Sequence, residues 1–317
     1  MFSAPGPLHR SIAFRAAMRG MAVWALVVLS ACKKEVEVIP GNQAPDYAGV
    51  PTVVTENYVN RLFIDLLGRE PLDVEMTAEV NALESASLSM ASREALVSKL
   101  MTSTAYLADD SSYTNKYYMR QYELYKARFL EGVSDEVIDG FIGNAEQQAL
   151  ADSLGGNTAG LNAANSELGR LRALKRSRTD YRDHLIGITE VMRRMVLNSV
   201  YDEINMNSFN YVNATFDNLM MRYPTNAEFA TGYGMVDSNS PGVLFGQSGQ
   251  NKGEYAAIMA GSMGSLEGLV RWCYVTFMGR EPNSYETYTA MNSFTQDLDL
   301  QKLQRTILTT DEYANIP

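Results

Sequence analysis

Histidine is nearly absent from this chain. The 317 residues hold two, His9 and His184, which leaves no His-based metal cage and no serine–histidine–aspartate arrangement. Cysteine is equally scarce: Cys32 and Cys273 are the only two, too few for a disulfide framework. No Cys-x-x-Cys-His stretch offers covalent haem attachment. No G-x-x-x-x-G-K-[ST] loop cradles phosphate, and no G-x-S-x-G turn presents a nucleophile. No cofactor and no metal is implied. Positive charge is short as well, with 27 Lys and Arg against 37 Asp and Glu. A chain of that balance is a poor nucleic-acid binder and is repelled by anionic lipid heads.

What is present is enough apolar matter for a sizeable core. At 46% hydrophobic and 20% charged the chain is no disordered polymer, and its length suits two or three domains. The first 31 residues stand apart. Arg10, Arg15 and Arg19 form a positive region ahead of "MAVWALVVLSA", Met21–Ala31. That run has the length of a signal-peptide core and falls short of the ~20 residues a spanning helix needs. Met18 and Met21 are alternative starts. The run ends in "LSAC", Leu29–Cys32, which resembles the lipobox of bacterial lipoproteins. The resemblance implies cleavage before Cys32, diacylglycerol on its sulfur and acylation of its amine. Acyl chains contribute about 0.8 kcal/mol per buried CH₂, so several of them anchor durably. Lys33 after the cysteine favours the outer membrane. Without the leader, 24 basic residues face 37 acidic ones, a net charge of −13. Cys273, beside Trp272 in an apolar helical run, reads as a buried small hydrophobe.

Residues 32–54 then read as a lipid-anchored tether, rich in proline and without helical period. Behind it one skeleton recurs three times. "LGREPLDVEM", "MMRYPTNAEF" and "MGREPNSYET" each read apolar, x, Arg, x, Pro, three residues, Glu. Upstream, Val59, Phe63, Leu66 and Leu67 match Val212, Phe216, Leu219 and Met220, and Val270, Tyr274, Phe277 and Met278. These are the i, i+4, i+7 and i+8 positions of one helix face. Gly68 and Gly279 suit a left-handed stop, with Met221 departing from it. Arg69, Arg222 and Arg280 fall at the negative helix end. Pro71, Pro224 and Pro282 forbid continuation. Thr225 with Glu228, and Asn283 with Glu286, have capping-box spacing; in the first copy Asp73 is the expected cap and Glu75 keeps the acid. Tails ending at Tyr106, Tyr255 and Tyr313 close the blocks. The pattern predicts an all-α helical repeat or bundle: three helix–elbow–helix units of about 45 residues at 55–106, 201–256 and 257–317, which pack on one another, with a helical insertion at 107–200. Within the insertion, helices are expected at 111–130, from Ser134 to a break at Gly155–Asn157, at about 159–177 and at 180–198. Residues 232–246 read as a Gly/Ser/Pro loop with room for one short hairpin.

"YVNRLFIDLLGREP" and "MTSTAY" resemble a bacterial cell-surface repeat of unknown function, built from a Tyr/Phe-Val helix, D-x-L-G-R-x-P and a closing Ser-x-x-Tyr. The phycobilisome-linker repeat is similar in outline, as is the N-terminal domain of planctomycete cytochrome-associated proteins. The resemblance covers the three blocks and leaves the insertion unmatched; Asn218 and Thr276 stand where the first block has Asp65. It implies a helical surface module and no catalytic residue.

Two stretches are candidates for binding. Tyr113, Tyr117, Tyr118, Tyr122 and Tyr125 lie on one helix. As core, Tyr118, Tyr122 and Tyr125 would face inward with Tyr117 at the boundary; exposed, they would stack on sugar rings. "RLRALKRSR" places Arg170, Arg172, Lys175, Arg176 and Arg178 together, either a solvated face or a seat for phosphates or acidic partners. The i,i+4 spacing of Asp180 and His184 suits a surface ion pair. The expected function is a non-catalytic, outer-membrane-anchored scaffold that holds a protein or glycan partner. The alternative is an envelope hydrolase or glycan-processing enzyme using carboxylates such as Glu75 or Glu228. For the anchor, Cys32→Ser is expected to lose lipidation and detergent-phase partitioning. A serine variant that stays on membranes through a carbonate wash overturns the lipobox reading.

Overall fold

The computed structural model describes residues 49–105 and 111–316. The leader, Cys32, the tether as far as Ala48 and the closing Tyr106 lie outside the described residues. Fifteen helices and one small hairpin form among those described, so the protein is all-α. Helices α1 (Thr52–Leu67), α2 (Asp73–Ser85) and α3 (Met90–Thr102) come first. Next are α4 (Tyr113–Phe129), α5 (Asp135–Leu154), α6 (Thr158–Arg182), α7 (Ile188–Val196) and α8 (Ser199–Asn205). Then come α9 (Ser208–Met220), α10 (Asn226–Ser238), β1 (Gly242–Leu244), β2 (Gln247–Gly249) and α11 (Lys252–Gly261). The chain closes with α12 (Met263–Met278), α13 (Ser284–Asp297), α14 (Leu300–Leu308) and α15 (Asp311–Ala314).

The three long helices ahead of the Arg-x-Pro skeletons all stop in left-handed backbone: Gly68 at φ 72°, Met221 at 53° and Gly279 at 67°. Met221 reaches that conformation with a Cβ in place, against the usual preference for glycine. Each stop turns the chain into a second helix, so α1 packs on α2, α9 on α10 and α12 on α13. Their buried faces carry the predicted residues: Val59, Phe63, Leu66, Val212, Phe216, Leu219, Val270 and Phe277 are all essentially inaccessible.

Helix α4 lies at the centre, against α1 and α3 on one side and α6 and α7 on another. It also reaches α14, where Tyr117 donates to Gln304 Oε1 at 2.7 Å and Gln304 Nε2 donates to Gln121 at 2.8 Å. Helices α5 and α6 form an antiparallel pair with a small satellite cluster of Ala149, Ala164 and Leu168. The last described helices return to the first ones. Tyr58 donates to the Leu308 carbonyl at 3.1 Å, Tyr313 donates to Asp65 at 2.7 Å, and Arg93 meets Asp311 at 2.6 Å.

Four local expectations need correction. Residues 159–198 do not break near 178; α6 runs to Arg182, and the break comes at His184, which has φ 56°. Asp180 accordingly pairs with Arg194 at 2.7 Å, because His184 has left the helix on which the i,i+4 spacing relied. The stretch 232–246 begins as helix: α10 continues to Ser238, and the hairpin pairs Leu244 with Gln247 around Phe245–Gly246. Gly232 is there for a close approach, since a Cβ would stand 2.7 Å from Tyr255. In the first elbow Leu72, not Asp73, occupies the cap position.

The tightest crossing is between α9 and α12. A Cβ on Gly268 would stand 2.1 Å from the Leu219 carbonyl oxygen and 2.7 Å from Met220 Cα, so backbone meets backbone there. Gly268→Ala is expected to destabilise by about 1–3 kcal/mol or more through overpacking. The exposed helical Gly169, with open space at its Cβ, should gain about 0.5–1 kcal/mol on replacement by alanine. Chemical denaturation of the two variants checks the contrast, and an unaffected Gly268→Ala protein would refute the crossing.

Candidate functional site

The recurring arginine and glutamate meet at every elbow with the same bonds. Arg69 Nη1 and Nη2 donate to the two oxygens of Glu75, both at 2.8 Å. Arg222 holds Glu228 at 2.9 and 2.7 Å, and Arg280 holds Glu286 at 2.8 and 2.7 Å. Nη1 of each arginine also donates to the next residue's carbonyl: Glu70, Tyr223 and Glu281. Oε2 of each glutamate accepts the backbone N–H at the following cap, from Leu72, Thr225 or Asn283, at 2.7 Å. Below each guanidinium lies a ring, with Phe63, Phe216 and Tyr274 at 5.3, 5.2 and 5.7 Å. Glu75 and Glu228, the carboxylates of the hydrolase alternative, are thus engaged in helix caps. Among the described residues no group of three or more His, Cys, Asp or Glu is placed to hold a metal ion.

The surroundings of the three rings differ. Tyr113 stands edge-on to Phe63 at 5.9 Å and donates its hydroxyl to Glu75 Oε1 at 2.8 Å. Phe245, from the hairpin turn, lies 6.1 Å from Phe216. Tyr274 has no ring partner among the described residues. It borders an open groove of about 390 Å³ between α13 and α14. Phe294, Leu303 and Ile307 form the apolar floor; Glu286, Thr289, Ser293, Thr306 and Thr310 supply polar atoms; Tyr285, 76% exposed, stands at the rim. A largely apolar hollow with a few convergent polar groups is the usual form of a binding site.

The tyrosine helix offers no such surface. Tyr113, Tyr117, Tyr118, Tyr122 and Tyr125 are all buried, and Tyr117, expected at the boundary, is fully inaccessible. Neighbours surround α4 on several sides, so two adjacent tyrosines about 100° apart both find cover. The sugar-stacking wall is therefore absent. The basic stretch is neutralised rather than free. Arg172 pairs with Glu146 at 2.7 Å, Lys175 with Asp139 at 2.6 Å, Arg170 with Glu167 at 3.3 Å and Arg176 with Asp180 at 4.0 Å. Arg172 and Lys175 tie α6 to α5; the other two pairs lie within α6. Cys273 is inaccessible, and burial pushes its thiol up to about 12, which makes it an inert core residue.

Two closing tyrosines share a role that the tail pattern placed differently. Tyr201 donates to Asn218 at 2.8 Å and Tyr313 to Asp65 at 2.7 Å; Asn218 and Asp65 hold the same place in their helices. Each tyrosine sits three residues after a cap, Asn198 or Thr310, whose side chain accepts its N–H. Tyr255, expected as the second tail, lies instead within α11 and shares a hydrogen bond with Thr215 at 2.6 Å. The cap-x-x-Tyr spacing was the available signal. Burial raises the Asp65 carboxyl, opposed by the Tyr313 hydroxyl and Arg61. No family model matches the chain, and no curated protein or solved structure is significantly similar to it.

The elbow carboxylates make stability depend on acid. Hydrogen bonds from Arg222 are the main reason Glu228 is held down at about 2, below the ~4.3 of a free glutamate. A depressed folded pKa contributes stability above the unfolded value and loses it as pH falls through the folded one. Stability should therefore fall between pH of about 4.3 and about 2. Glu228→Gln should flatten that slope and cost about 0.5–2 kcal/mol at neutral pH as a lost cap. Urea midpoints across this range decide the matter; identical slopes in both proteins would contradict the geometry.

Proposed function

We propose that the protein is a non-catalytic helical scaffold, held to the bacterial outer membrane by lipid on Cys32, which binds a protein or glycan partner of the cell envelope. The observation that carries the reading is the groove beside Tyr274. It is open and apolar in its floor, while the elbow carboxylates around the body are committed to caps. Three elbows with one bond pattern support a three-unit scaffold with an inserted helical block at its centre. The likeness to a bacterial surface repeat points the same way, as does "LSAC" at the end of the leader. No described helix is long and apolar enough to cross a membrane, so the anchor in this reading is the acylated cysteine. The acidic body, repelled by anionic lipid heads, suits a tether that holds it off the surface.

The test is retention of envelope components by the intact lipoprotein, comparing wild type with Thr306→Trp. Thr306 is exposed on the groove wall, so the indole fills the groove without disturbing the core. The variant should keep its melting temperature and lose the partner about tenfold or more, the range of a centrally placed contact. Equal retention by both proteins would remove the groove from the function.

A further inference from the structure

The groove at the third elbow has a filled counterpart in the same chain. At the first elbow Tyr113 touches Phe63, donates to Glu75 Oε1 and lies under the Lys99 ammonium; Lys99 in turn binds Glu79. The matching positions at the third elbow are Tyr274, Glu286, Thr306 and Ala290. Tyr274 lies six residues before the elbow arginine as Phe63 does, Glu286 six after and Ala290 ten after, while Thr306 stands seven before its closing tyrosine as Lys99 does. All four line the groove. The space that Tyr113 occupies in the first unit is thus open in the third.

Three details define the occupant. Glu75 Oε1 accepts two donors, from Arg69 and from the Tyr113 hydroxyl, whereas Glu286 Oε1 accepts from Arg280. That oxygen, on a residue that lines the groove, has acceptor capacity left for a hydroxyl. The ring of Tyr274 offers the face or edge that Phe63 offers Tyr113. The charged Lys99–Glu79 pair is replaced by Thr306 and Ala290, which widens the hollow and takes a charge pair out of it. The rim is mixed in charge: Glu286 is held by Arg280, and Asp299 stands beside Lys302, which pairs with Asp297.

We propose that the third-elbow groove seats one tyrosine side chain from a helix of a partner protein, with its hydroxyl donated to Glu286. This rests on the scaffold reading and names the chemistry of its contact. Glycan binding is the outcome that counts against it.

The probes are p-cresol (the tyrosine side chain), toluene and N-acetylglucosamine, each added to the whole protein and followed by ligand-observed NMR and by crystal soaking. We expect p-cresol in the groove with its hydroxyl on Glu286, and toluene about fivefold weaker, the equivalent of one hydrogen bond. Thr306→Trp should abolish both. Tyr113→Ala is the control: it vacates the first slot, so p-cresol should restore part of its lost melting temperature. Rescue there with no p-cresol at the third elbow of the wild type overturns the proposal, as does N-acetylglucosamine in the groove. If Thr306→Trp loses the envelope partner while p-cresol fails to bind, the tyrosine assignment falls and the scaffold reading stands. If neither changes, both fall.

Discussion

Each of the three Arg-x-Pro elbows depends on a guanidinium that faces two helices at once. From the end of the first helix it holds both oxygens of a carboxylate in the first turn of the next, and the carboxylate closes that helix through the cap N–H. Paired charge-assisted bonds in a fixed fork are stronger and more directional than neutral ones. The acid also suits the positive end of the second helix. Turn angle, ring position and hollow all follow from this fork. Once the corner is set, the face beneath the arginine must be covered by something, and the chain solves that with Tyr113 in one place and Phe245 in another.

The corners were legible in the sequence because every part of them is local. Arginine, proline, cap and glutamate lie within seven residues, and each has a preference that works at short range. What covers the corners was not legible. Tyr113 reaches Glu75 across 38 positions, and nothing in its own helix marks it as the plug for another. Tyr117 was misplaced for a related reason. Helical period tells which residues share a face, but not how many faces are covered, and α4 is enclosed by helices from distant parts of the chain. The groove at the third elbow was invisible for the opposite reason: an open space is the lack of a plug, which no residue announces.

Charge shows the same divide. Five cations in a short stretch look like a patch when read along the chain. In space Arg172 and Lys175 face acids of α5 and join two antiparallel helices, while Arg170 and Arg176 pair within their own helix. Exposed ion pairs of this kind contribute little each; their role here is register more than strength. The elbow pairs are better sheltered, with Glu75 only 5% exposed, and each does the second task of capping a helix.

The return of the last helices to the first has a mechanical consequence. Tyr58, Arg61, Asp65 and Arg93 are bonded to Leu308, Tyr313 and Asp311, between 218 and 252 positions away. Tension on the chain ahead of Thr52 therefore enters α1, but it cannot peel that helix away alone. Hydrogen bonds spread along α1 and α3 must shear together, and the load passes into α14 and α15 directly as well as through the packed α4. The path of force through the body is short, while the path of the chain is long.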